Sequence, residues 1–209
     1  MTRLRGFSLI ELVVVIVVLG ILAVTALPRF LDVTEEAKNA SVEGVAGGYA
    51  TAVLLVRSQW EAKGRVKEVG RNTIVYDGNR FYLTTPTKDE EDSGELSPGY
   101  PMDTNASATP DVNPGNLSAT RCLNIWNGLL QNPPKVTQDF SLVAKGDNSL
   151  KFYVSVQQAG NDSLCRYYLI NSLSKNADGN YEDPQNRTDK YKSFSYRPAS
   201  GQVVTHINN

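Results

Sequence analysis

From Phe7 to Leu27 the chain carries one charged side chain, Glu11, in an otherwise uncharged run made mostly of Val, Leu, Ile and Ala. A helix of about 20 apolar residues crosses the hydrocarbon core of a bilayer, so this run is long enough to span it once. A basic segment precedes it, Met1-Thr2-Arg3-Leu4-Arg5-Gly6. A secretory signal fits poorly, because its apolar region is about 7–15 residues and the cut follows that region. Here the natural cut is at Gly6, ahead of the run, and the helix would stay on the mature chain. Arg3 and Arg5 bias the N-terminus to the cytoplasmic side of an inner membrane. The rest of the chain is then expected beyond that membrane, in the periplasm.

Glu11 is the costly residue of the run. A carboxylate at the centre of a membrane helix costs roughly 2.5–3.5 kcal/mol, less near an end, and such a residue marks function by default. Cleavage after Gly6 would create an amine on Phe7, about one helical turn from Glu11. That amine, on its own chain or a neighbour's, is one partner for the carboxylate. Solvation at headgroup level is the other reading that the residues allow.

Gly6-Phe7-Ser8-Leu9-Ile10-Glu11-Leu12 resembles the processing motif of type IV prepilins and pseudopilins. The resemblance implies cleavage after Gly6 and N-methylation of Phe7 by a prepilin peptidase. It also implies that Glu11 aids docking in a filament, and that the partners are other pilin subunits, an inner-membrane assembly platform and membrane lipid. Three further segments are similar to pilins of the mannose-sensitive haemagglutinin (MSHA) pilus: Ala26 to Val33, Ser97 to Tyr100 with Pro101, and Trp126 to Pro134. They imply a structural subunit, of minor type, in a pilus that supports surface attachment. A pseudopilin of a type II secretion system is the alternative.

Past the apolar run the pattern changes. Pro28 removes one backbone donor and is expected to kink the helix rather than end it. Val42, Val45 or Ala46, Tyr49, Val53, Val56 and Trp60 then recur at three- and four-residue steps, the period of one helix face. Gly64 is a plausible stop. Short strand signals follow. Thr73 to Tyr76 and Phe81 to Thr84 flank Asp77-Gly78-Asn79, and later runs lie at Lys151–Val156, Arg166–Ile170, Ser193–Tyr196 and Gln202–Thr205. A polar stretch from Pro86 to Ser118 reads as a long loop, with Lys88 to Asp92 as its solvated charge run. A short helix is expected from Cys122 to Leu130.

The expected organisation is therefore a leader over 1–6, a membrane-spanning helix over 7–27, an amphipathic continuation over 28–64, and a globular domain over 65–209. The fold class is α+β, a type IV pilin fold whose long N-terminal helix packs on a C-terminal antiparallel sheet.

The remaining composition narrows the function. With 21 basic and 22 acidic residues the net charge is -1, and no nucleic-acid partner is expected. Cys122 and Cys165, far apart and with only His206 to join them, make no zinc pattern. They form a disulfide if the domain is exported, or stand as two buried thiols if it is not. His206 lacks a nucleophile elbow and reads as a surface residue, so no enzyme activity and no cofactor are expected. Asn176, Asp178, Asn180 and Glu182 alternate around Gly179 partly as in a calcium loop. Ser174 and Gln185 break that pattern at both ends, which favours a plain turn.

Overall fold

A computed structural model describes residues 7–104 and 112–207. The chain forms two compact units, Met1–Ala40 and Ser41–Asn209. The expected leader, with Gly6, lies outside the described residues.

Helix α1 runs from Leu9 to Ala62 and contributes to both units. Within the second unit its periodic face is the core of the domain: Val42, Tyr49, Val53 and Val56 have no exposed surface. The helix ends in a Schellman motif. The Gly64 amide donates to the Glu61 carbonyl and the Arg65 amide to the Trp60 carbonyl, with Gly64 at φ 78°.

Two sheets follow. The first has the order β1 (Lys67–Glu68), β2 (Arg71–Tyr76), β3 (Asn79–Leu83) and β4 (Pro101–Asp103), all antiparallel. Asp77 and Gly78 alone make the β2–β3 turn, both at positive φ, and Tyr76 pairs with Asn79. This two-residue turn suits the twist of a hairpin.

The second sheet has the order β5 (Val136–Thr137), β6 (Phe152–Gln157), β7 (Leu164–Leu169), β8 (Ser193–Arg197) and β9 (Gln202–His206). Its pairs are antiparallel except the two-residue edge β5, which lies parallel to β6. The architecture is thus α+β, a long N-terminal helix followed by antiparallel sheet, as expected and consistent with a type IV pilin fold. The sheet is divided in two, which the strand signals alone did not indicate.

The described part of the stretch from Pro86 to Ser118 is more ordered than a loop. It holds α2 (Lys88–Asp92), β4 and a 3-10 turn at Pro114–Asn116. Thr87 starts α2 through a capping box: its hydroxyl accepts from the Glu90 amide, and the Glu90 carboxylate accepts from the Thr87 amide at 2.8 Å. The charge run is therefore a capped turn of helix.

Helix α3 (Ala119–Leu129) joins the sheets. Toward the first, Arg121 pairs with Asp103 at 3.5 Å, both nearly fully buried. A side chain at Gly128 would meet Thr104 and Phe81 at under 3 Å, so α3 lies against β3 and β4. Toward the second, Cys122 is bonded to Cys165 of β7, their Cα atoms 5.7 Å apart. Between helix and sheet lies an aromatic centre of Tyr49, Trp126, Phe152, Tyr167, Phe194 and Tyr196. Full burial of such a ring is worth about 1.5–3 kcal/mol.

Its tyrosines are satisfied internally. The Tyr49 and Tyr167 hydroxyls share a 3.1 Å hydrogen bond, Tyr167 donates to the Cys122 carbonyl, and Tyr196 donates to the Pro101 carbonyl. A second apolar cluster, Val143, Tyr153, Tyr168, Ile170, Leu173 and Tyr191, covers one end of the outer face of the five-stranded sheet. Val143 belongs to the short helix α4 (Phe140–Ala144).

Candidate functional site

The first unit offers a surface rather than a cleft. Every described residue from Phe7 to Glu36 is exposed, including Phe7 at 75 %, Leu9 at 81 % and Ile10 at 72 %. The helix is long and apolar enough to cross a membrane. From Leu9 to Leu27 it rises about 28 Å at about 1.5 Å per residue, close to the ~30 Å hydrocarbon thickness. Polarity begins sharply at Arg29, and Lys38 pairs with Glu35 at 2.6 Å.

Two threonine hydroxyls of this unit turn inward on the backbone of the helix. Thr25 donates to the Leu22 carbonyl at 2.9 Å and Thr34 to the Phe30 carbonyl at 2.8 Å. No polar side chain between Leu12 and Leu27 is therefore left to seek water, as an apolar environment requires. Pro28 lies inside α1, which continues through it for more than thirty residues.

At the start of α1 the sequence missed a pairing. The Glu11 amide donates to the Ser8 hydroxyl at 3.3 Å, and the Glu11 carboxylate accepts from the Ser8 amide at 3.4 Å. Ser8-Leu9-Ile10-Glu11 is thus a capping box, a signal legible in the spacing of Ser and Glu. In the single chain the carboxylate is held by its own helix end, where the macrodipole also favours negative charge. This is a local alternative to the amine of Phe7.

The other candidate residues lie in the second unit. Cys122 and Cys165 are fully buried and bonded to each other. Around Gly179, at φ 81°, the chain closes a tight turn. The Asn176 side-chain oxygen accepts from the amides of Asp178 and Asn180 at 3.0 and 2.9 Å, and the Glu182 amide donates to the Ser174 carbonyl. The Asn176 oxygen is thereby occupied by the turn itself. Among the described residues no three His, Cys, Asp or Glu side chains gather where they could hold a metal.

His206 is half-buried rather than a free surface residue, with Nε2 3.1 Å from the Ser195 hydroxyl. Burial, and then the nearby Arg166 cation, hold its imidazole below the usual histidine range. No carboxylate bonds to it among the described residues. A base made weaker by a cation, with no orienting acid, lacks the features that activate a serine.

Known proteins agree with the N-terminal reading. Residues 1–27 match the family described as the prokaryotic N-terminal methylation motif. The type IV narrow pilus major component PilA5 of Thermus thermophilus is 45% identical over 62 residues, which is 30% of this chain and 52% of that protein. A fimbrial protein of Neisseria meningitidis serogroup A is 36% identical over 77 residues, 35% of this chain and 45% of that protein. The chain thus spans about half the length of the curated relatives it matches. No solved structure gives a significant match. The chain carries a prokaryotic N-terminal methylation motif and is homologous to type IV pilins, whose fold its long apolar helix and following antiparallel sheet also fit.

Proposed function

We propose that the chain is a structural subunit of a type IV pilus of the MSHA type, present as a minor component and supporting surface attachment. The observation that carries the reading is the bare apolar face of α1, most of which lies within the residues that match the methylation motif. Burying one Leu, Ile or Val side chain is worth about 1.5–3 kcal/mol, and more than a dozen of these stand exposed before Val33. Lipid covers that surface while the subunit waits, with its folded unit in the periplasm. The helices of neighbouring subunits cover it after assembly. Similarity of Ala26–Val33 and Trp126–Pro134 to MSHA pilins supports the finer assignment.

In this scheme a prepilin peptidase cuts after Gly6 and methylates Phe7. Glu11 then exchanges its bonds to Ser8 for a charge-assisted bond to the amine of a docking neighbour. An assembly platform in the inner membrane draws the subunit into the fibre. The work required of the protein is binding and packing, not catalysis.

The test is genetic and physical. Gly6→Ala should leave uncleaved precursor in the inner membrane, and a normal mature band on a gel would remove the leader assignment. Glu11→Ala should be cleaved yet give few fibres, and a wild-type fibre yield would end its docking role. Mass spectrometry of sheared pili should find the chain at low stoichiometry. Its absence there, together with lost protein export on deletion, would make it a secretion pseudopilin.

A further inference from the structure

A free sheet edge offers backbone amides and carbonyls to any other strand, and folded proteins guard such edges with brevity, charge, proline or cover. The two sheets have four edge strands among the described residues, and three of them are guarded. β1 is two residues long, and both are charged, Lys67 and Glu68. β5 is two residues long and follows Pro133-Pro134-Lys135. β4 contains Pro101, and all three of its residues are buried.

β9 has none of these devices. Its five residues, Gln202-Val203-Val204-Thr205-His206, pair with β8 without a break in register. Three of them are β-branched, and none is Pro, Lys, Arg, Asp or Glu. His206 is held below the usual histidine range by burial and then by the Arg166 cation, which keeps the strand uncharged at neutral pH. Val203 packs against the aromatic core on the inner face, while Gln202, Val204 and Thr205 are exposed. Alternate residues of an antiparallel edge strand point their amide and carbonyl outward, and among the described residues no strand meets those of β9.

The edge matches itself. Turned end for end about Val204, a second β9 sets Val204 opposite Val204, Val203 opposite Thr205 and Gln202 opposite His206. The central pairs are then all β-branched, the outer ones set an amide beside an imidazole, and no like charges meet. Directly paired residues share a face, so Val203 and Thr205 of both copies stay on the inner side. A slip of one residue would turn the core face of one sheet to the outer side of the other.

We propose that β9 pairs antiparallel with β9 of a second copy about a two-fold axis at Val204, joining the two five-stranded sheets edge to edge. A contact between identical patches closes as a dimer and does not propagate. It lies in the folded unit and does not rest on the pilus reading.

The native cysteines are bonded to each other, so an introduced thiol is the reactive one. The full chain carrying Val204→Cys is held in neutral detergent and oxidised by oxygen with copper phenanthroline. At the axis the paired Cα atoms would lie about 4.5–5.5 Å apart, within disulfide reach. Gln202→Cys would meet its own copy four positions out of register, about 13 Å away and beyond that reach. Val204→Cys should therefore give a disulfide-linked dimer at least about tenfold faster than Gln202→Cys. Gln202→Cys mixed with His206→Cys should restore the fast rate, and near-ultraviolet circular dichroism checks that each variant is folded. Copies brought together by α1 alone would crosslink Val204→Cys and Gln202→Cys alike. Equal rates for those two, or no dimer from either, would overturn the proposal, and so would a mixed pair no faster than Gln202→Cys by itself.

Discussion

Replacing both cysteines by alanine removes the bond between α3 and β7, and the size of the loss follows from the loop it closes. Cys122 and Cys165 are separated by 43 positions. Opening a loop of this size restores about 13 cal/mol/K to the unfolded chain, or ~4 kcal/mol at 25 °C on the loop-entropy account. The two sulfur atoms are fully buried, and their removal adds about 1 kcal/mol of lost packing. At about 2–4 °C per kcal/mol for a domain of this size, the midpoint should fall by roughly 10–20 °C.

The assay is urea unfolding of the full chain in neutral detergent, followed by the fluorescence of Trp60 and Trp126, both buried. The urea dependence should also steepen, because an unfolded chain without the crosslink exposes more surface. Reduction of the wild type keeps both sulfur atoms and should reproduce the loop term without the packing term. A loss below about 1 kcal/mol with an unchanged urea slope would refute the reasoning. It would mean that α3 and β7 stay apposed in the unfolded ensemble.

Further outcomes concern the aromatic core and its edges. Gly201 sits at φ 70° in the β8–β9 turn, and a Cβ there would fall on the Tyr100 ring, which also receives Arg57 at 4.3 Å. Gly201→Ala should cost about 2–4 kcal/mol in the same urea assay, from strain and crowding together; a change within about 0.5 kcal/mol would show that the ring yields freely. Tyr49, Tyr167 and Tyr196 are pushed above the usual phenol range, by burial first. A raised folded value leaves stability intact below pH ~10 and removes it as pH rises beyond that. Absorbance near 295 nm should therefore show a late ionisation step coincident with unfolding, and a single step near pH ~10 with circular dichroism unchanged would contradict it.

Much of this molecule is legible locally. The three- and four-residue steps from Val42 to Trp60 mark the buried face of α1, because a helix repeats its surface at that interval. Gly64 marks the stop, since the Schellman motif needs a residue that tolerates positive φ. Asp77-Gly78 marks the hairpin for the same reason. Two capping boxes, Ser8 with Glu11 and Thr87 with Glu90, are equally local, each set by a hydroxyl residue three positions before a glutamate.

What stayed hidden depends on partners far along the chain. Pairing of β3 with β4 crosses the whole of α2, and the parallel β5 edge on β6 has no signal of its own in two residues. The division into two sheets follows from those pairings. The meeting of Arg166 with His206 likewise depends on the order β7-β8-β9 and on register, which side-chain patterns fix only once neighbours are known.

Helix α1 also sets two kinds of selection within one element. Beyond Ser41 its side chains answer to an aromatic core of the same chain, so a change there can be compensated privately by Trp126 or Tyr167. Before Ala40 the exposed residues pack on no core of their own unit, and under the proposed assembly they answer to the surfaces that cover them. Substitutions in that part can spread only in step with the molecules that cover them. A single helix is thus free to diverge at one end and bound to shared ancestry at the other.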